Sequence, residues 1–219
     1  TKYITGNGTS IGGVIIDAGN FDWSNGLFHE FTEPSAGYHG LVYHEALGPA
    51  AFIAKVRIEG LRDLGSAPSP FNCFQTIQGL ETLSIRIKKH SENALKVAEW
   101  LENQDKVEWV NYPGLKSSKY YDLSKKYLKN GQSGIVTFGL KGGFDSAKKL
   151  TDNTKIFSLL ANFGDSKSLI IHPSSTTHQQ LNEEQQKSTG VTSDLVRLSI
   201  GLEDPVDLIN DLKDALNSI

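Results

Sequence analysis

The chain has 219 residues, 38% of them hydrophobic, and a formal net charge of −3. That length holds one large domain or two small ones around a packed core. The charge excludes a basic field for nucleic acid or an anionic membrane, and no apolar run of about eighteen residues exists to span a bilayer.

The single cysteine, Cys73, cannot close an internal disulfide and fits a reducing compartment, most simply the cytoplasm. Between Phe71 and Phe74 it reads as a buried structural thiol. The chain starts with Thr1 and contains no methionine, so residue 1 reads as something other than a biological start.

In chain order, Thr1 to Gly13 combine an early lysine, Lys2, with hydroxyl residues and glycines. Lysine is the side chain that forms Schiff bases with carbonyls. On spacing alone, though, Lys2 reads first as a solvated lysine beside a turn. Residues 9–17 read as a buried strand with a glycine kink. Residues 18–50 are aromatic without period, carrying Phe21, Trp23, Phe28, Phe31, Tyr38 and Tyr43. Such segments tend to be functional or to pack on a partner. Residues 49–64 read as a helix with Pro49 in its first turn, and Ser69-Pro70 marks a second helix start.

Residues 76–103 carry the strongest helical pattern, with Leu80, Leu83, Ile87, Ala94, Ala98 and Leu101 on one stripe. Such a helix runs about 40 Å and crosses a domain or joins two. His90, near that stripe, reads as a hydrogen-bonded helix histidine rather than a ligand. Strands are expected at 107–111, 134–140, 168–171 and 195–200. Residues 144–160 read as a helix capped by Asp145, residues 182–190 as a loop or short helix, and Asp204-Pro205 opens a final helix. The second half is thus a small α+β layer, helices on one face of a mostly antiparallel sheet. The boundary falls between 1–103 and 104–219.

Among polar residues Arg197 stands out. Its strand turns Val196, Leu198 and Ile200 to the core and Arg197 to the other face, where a guanidinium can grip a carboxylate. Taken alone, a surface or salt-bridged arginine explains it more readily. His172 and His178 have neither helical spacing nor a nearby cysteine, so no metal site is read there. Gly6-Asn7-Gly8 lacks the Lys-Ser/Thr of a P-loop.

The following runs together carry a resemblance across essentially the whole chain. They are Thr1-Lys2-Tyr3 with Gly8-Thr9-Ser10-Ile11-Gly12-Gly13, Phe31-Thr32-Glu33-Pro34-Ser35 with Gly37-Tyr38-His39-Gly40, and Leu61-Arg62-Asp63 with Ser69-Pro70-Phe71-Asn72. Next come Gln78-Gly79-Leu80-Glu81-Thr82-Leu83, Asn111-Tyr112-Pro113-Gly114-Leu115, Ala161-Asn162 with Gly164-Asp165, and Lys167-Ser168-Leu169 with His172-Pro173. The last is Val196-Arg197-Leu198-Ser199-Ile200-Gly201-Leu202-Glu203-Asp204. The chain resembles the PLP-dependent Cys/Met metabolism (trans-sulfuration) enzymes, and within them the O-acetylhomoserine sulfhydrylase, or homocysteine synthase, branch. Asn7 stands where many relatives have histidine, and Ile87 where methionine is common. The aromatic insert at 21–48 favours the sulfhydrylase branch.

The resemblance implies an α/β protein of the type I aminotransferase fold. This chain would be its carboxy-terminal half: the end of the large PLP-binding domain with the joining helix (1–103) and the small domain (104–219). It implies pyridoxal 5'-phosphate (PLP) as cofactor, bound through Lys2, with Thr1 donating to its phosphate. It implies Arg197 for the substrate α-carboxylate, with Asn162 and, more weakly, Thr177 on the same wall. The expected reaction makes homocysteine from O-acetylhomoserine and sulfide in a homo-oligomer, a tetramer built from dimers. Alternatives are a cystathionine or methionine γ-lyase, a cystathionine γ-synthase-like enzyme, or an inactive fragment without the other half.

Overall fold

A computed structural model describes all residues, Thr1–Ile219. Its contacts fall into two compact units, one made of Thr1–Ile11 with Phe74–Ile219 and the other of Gly12–Cys73.

The unit Gly12–Cys73 gathers around Trp23. Its ring stacks on Phe31 with centroids 4.3 Å apart and on Phe52 at 5.3 Å. Phe31, Tyr43 and Ala51 are its buried centre. Short helices supply Phe31, Tyr43 and Phe52 in turn: α1 (His29–Thr32), α2 (Tyr43–Leu47) and α3 (Ala51–Lys55), with a 3-10 turn at Ala36–Tyr38 between the first two. The aromatic stretch without period is therefore a local cluster, not an open loop. Pro49 opens the helical run as expected, within a 3-10 turn at Gly48–Ala50. That run finishes as π-helix over Val56–Asp63, where the Leu64 N–H bonds back to Glu59 O.

The strand expected at 9–17 does not form. The segment is irregular, and Ile11, Val14 and Ile16 are largely exposed. A strand exists only through a paired neighbour, and none of the five strands pairs with it. Cys73 is exposed rather than buried, because Phe71 and Phe74 beside it stay in solvent.

Helix α4 (Pro70–Leu101) begins where Ser69 Oγ accepts the Asn72 N–H, and no helix of the chain is long and apolar enough to cross a membrane. Its later turns bury Ala94, Val97, Ala98 and Leu101 in the main core. The sheet follows: β1 (Val107–Asn111), helix α5 (Tyr121–Tyr127), β2 (Ile135–Leu140), helix α6 (Gly143–Asn153), β3 (Ser158–Leu159), β4 (Leu169–Ile171), helix α7 (Glu183–Ser188), β5 (Leu195–Ser199) and helix α8 (Pro205–Asn217). Strand order is β1-β2-β5-β4-β3, antiparallel except for the β3–β4 pair. The alternating patterns read from sequence hold: Val136 and Phe138 on β2 and Val196 and Leu198 on β5 are fully buried. Two expectations are corrected. Helix α6 ends at Asn153, leaving room for β3, and its cap position is Gly142, with Asp145 inside the first turn.

Asp211 of α8 fixes the connection out of α6. Its carboxylate accepts the N–H groups of Lys155, Ile156 and Phe157 at 2.8, 2.8 and 3.2 Å. Loss of this carboxylate strands three donors, the Phe157 N–H in a buried place and the other two in partly buried ones. Asp211→Ala is expected to cost about 2–4 kcal/mol, read as a lower urea midpoint at unchanged m-value. Asp211→Asn, which keeps one acceptor, is expected to cost less.

Candidate active site

The site is built on a turn at the start of the chain. The Gly6 N–H donates to Lys2 O at 2.9 Å, and the Thr5 hydroxyl donates to Thr1 O at 2.9 Å. Gly6 closes the turn with φ of 79°, a conformation that favours glycine. From this turn the Lys2 Nζ reaches over the Phe163 ring, 5.4 Å from its centre. Tyr3 is held by other partners: its ring meets His90 edge-on at 5.3 Å, and its hydroxyl accepts the Gly134 N–H at 3.1 Å.

Arg197 reaches the same place from β5. It lies between Thr137 of β2 and Ile171 of β4, on the face opposite the core residues Val196 and Leu198. Its Nη2 donates to Asn162 O at 3.1 Å. No ion pair involves Arg197, and burial pushes its pKa below the usual arginine value while leaving it a cation. The Asn162 Oδ1 is buried without a hydrogen-bond partner. Lys2 and Arg197 thus converge on the Asn162–Phe163 segment. An amine, an unneutralised guanidinium and an unpaired amide oxygen remain there.

These groups fit a carbonyl cofactor with a carboxylate-bearing substrate. The amine suits a carbonyl carbon, and the guanidinium still has donors for a carboxylate. Thr1 is half-buried next to Lys2. Thr177 is exposed and pairs its hydroxyl with Nδ1 of its neighbour His178; no hydrogen bond joins it to Lys2, Asn162 or Arg197. The structure therefore brings together Lys2, Asn162 and Arg197, with Thr1 alongside, and leaves Thr177 outside their bonded network.

Sequence reasoning passed over Arg86. It is buried in α4, with Nη1 2.8 Å from Tyr3 O and Nη2 2.6 Å from Gly79 O. The signal was present. Gly79, Thr82, Arg86, His90 and Asn93 follow at steps of three, four, four and three, a polar stripe on one helical face.

Two buried histidines frame the sheet. His90 Nδ1 lies 2.6 Å from Ile200 O, the hydrogen-bonded helix histidine read from sequence. Both ring nitrogens of His172 are engaged, Nδ1 by Ser175 Oγ at 2.9 Å and Nε2 by Ser193 O at 2.8 Å. Burial pushes both pKa values below 6.5. The sign follows from linkage: the unfolded chain binds these protons first, so their contribution to stability is full above about pH 6.5 and is lost as pH falls through the folded values. The urea midpoint is expected to decline as pH falls below about 6.5, and His172→Gln is expected to flatten part of that decline.

Known proteins resemble the chain along almost its whole length. The family model described as Cys/Met metabolism PLP-dependent enzyme matches residues 1–217. An O-acetyl-L-homoserine sulfhydrylase of Leptospira meyeri is 55% identical over the whole chain, which covers 52% of that protein. A homocysteine synthase of Schizosaccharomyces pombe is 49% identical over 99% of the chain and 51% of its own length. A crystal structure described as an O-acetylhomoserine (thiol)-lyase from Campylobacter jejuni, with a pyridoxyl-lysine monophosphate, superimposes with a TM-score of 0.88 at 46% identity. It is matched over 99% of this chain and 52% of its own. The chain spans about half the length of the relatives it matches. With a family model matched along nearly its full length, the chain belongs to the Cys/Met metabolism PLP-dependent enzyme family.

Proposed function

We propose that the full-length protein carrying this chain is a γ-replacement transferase, making homocysteine from O-acetylhomoserine and sulfide in methionine biosynthesis. The observation that carries this reading is Arg197: a half-buried guanidinium without a carboxylate partner, bonded to the Asn162 carbonyl beside Lys2 and Phe163. The names of the relatives support the choice of substrate.

Bound PLP supplies the electron sink for negative charge developing at the substrate Cα and Cβ. Lys2 is the amine that bonds the cofactor, and once released it carries protons between Cα and Cβ. Thr1 donates its hydroxyl to the cofactor phosphate. Arg197 holds the α-carboxylate, and Asn162, with Thr177 as a further candidate, lines the substrate wall. The Cγ–O bond breaks as acetate leaves, and a Cγ–S bond forms with hydrosulfide.

In the full-length protein, residues 1–103 complete the cofactor-binding domain and residues 104–219 form the small domain. The assembly is a homo-oligomer, a tetramer built from dimers. Large exposed apolar side chains such as Phe71, Phe74, Ile77 and Ile85 are compatible with such burial. Light scattering tests it through a mass of four subunits. Cytoplasmic residence agrees with Cys73 as a free thiol.

The test is the full-length protein with O-acetylhomoserine and sulfide. Homocysteine is the expected product. No homocysteine, with 2-oxobutanoate released from methionine instead, would replace this reading with a γ-lyase.

A further inference from the structure

We infer that Arg86 is a positioning residue for Lys2, holding the backbone of the lysine turn through its carbonyls. The inference rests on the reading of Lys2 as the cofactor-bonding amine.

Four oxygen groups surround the guanidinium. Nε donates to Thr82 Oγ1 at 3.0 Å, Nη1 to Tyr3 O at 2.8 Å, and Nη2 to Gly79 O at 2.6 Å and to Ile4 O at 3.3 Å. None of these partners is a carboxylate. Burying a cation without a counter-charge is costly, so a guanidinium kept there for packing alone would be a poor choice. What this one achieves is to draw the carbonyls of Tyr3 and Ile4 together onto α4. The Lys2 carbonyl is meanwhile fixed by the Gly6 N–H. The backbone that follows the amine-bearing Cα is thereby set.

Two glycines keep the space this requires. A Cβ on Gly6 would collide with Arg86 Nη1, and a Cβ on Gly79 would collide with Ile4 O. Turn and helix therefore meet backbone to backbone, with the guanidinium filling the join. The planar fork matters as well as the charge. A lysine at 86 offers three donors on a flexible stem and cannot hold several carbonyls in one plane.

The experiment uses the full-length, PLP-loaded protein with Arg86→Lys and Thr82→Val. Thr82→Val removes only the Nε bond and leaves the cation in place. Misplacing a reacting group by about 1 Å costs on the order of a hundredfold in rate. Arg86→Lys is therefore expected to lower kcat about ten- to a hundredfold with little change in KM. It should also shift the pH midpoint of the cofactor's visible band and speed hydrogen exchange at the Gly6 N–H. Thr82→Val is expected to move the same three readouts less far.

Folded variants with unchanged kcat and an unchanged band titration would overturn the inference. So would a drop in melting temperature with no change in the band. A Lys2→Ala protein that keeps the wild-type band overturns the Lys2 reading, and this inference with it. If Lys2→Ala removes the band while both Arg86→Lys and Thr82→Val titrate like wild type, only the inference fails.

Discussion

Full-length protein carrying Lys2→Ala is expected to lose about a thousandfold or more in kcat/KM, since the proposed mechanism gives one residue the work of both covalent anchor and proton carrier. The visible band of bound PLP should vanish with it. Stability should scarcely change. The contact of the Lys2 ammonium with the Phe163 ring is a cation–π interaction worth about 0.5–1 kcal/mol. The turn beneath is held by backbone groups and by the Thr5 hydroxyl, none of which the substitution touches. A near-normal melting temperature with absent turnover, partly restored by an added small primary amine, is the pattern to look for. Activity within about tenfold of wild type would remove Lys2 from the chemistry.

The second large effect is expected at Arg197. In the proposed mechanism, truncation to alanine leaves the substrate carboxylate without its partner in a half-buried place, and it frees the Asn162 carbonyl. Losing one member of such a pair costs roughly 2 kcal/mol or more, about thirtyfold in kcat/KM. If the guanidinium grips the carboxylate equally in the ground and transition states, the change falls mainly on KM. Arg197→Lys keeps the charge and should recover part of the loss, but not the bidentate geometry. An unchanged KM for O-acetylhomoserine in Arg197→Ala would assign the carboxylate to another residue.

Period carried most of the small sheet. Val136, Phe138, Val196 and Leu198 alternate because one face of their strands is core, and that pattern needs no knowledge of neighbours. It also placed Arg197 on the opposite face. Apolar character was a poorer guide elsewhere. Val14, Ile15 and Ile16 read as a strand and Phe71 with Phe74 as cover for Cys73, yet all five apolar side chains are exposed. Hydrophobicity reports that a side chain favours burial, not that this chain contains the surface to bury it against. Strand β3 escaped notice because two residues carry no period. Arg86 escaped because it stands in an amphipathic helix rich in surface cations, where only its distance from Gly79 and Thr82 marks it as different.

The fastening of Tyr3 has a consequence for how the protein acquires its working form. Its hydroxyl meets the Gly134 N–H across 131 residues of chain, the Arg86 bond to its carbonyl spans 83, and the Ser166 hydroxyl reaches Gly6 O across 160. Contacts so distant in sequence are expected to form after the more local ones, because longer loops must close first. Helices and strands can therefore be in place while the lysine still wanders. Competence for the cofactor is then a late event in the molecule's assembly, and its arrival reports that the small sheet, α4 and the first turn have found one another.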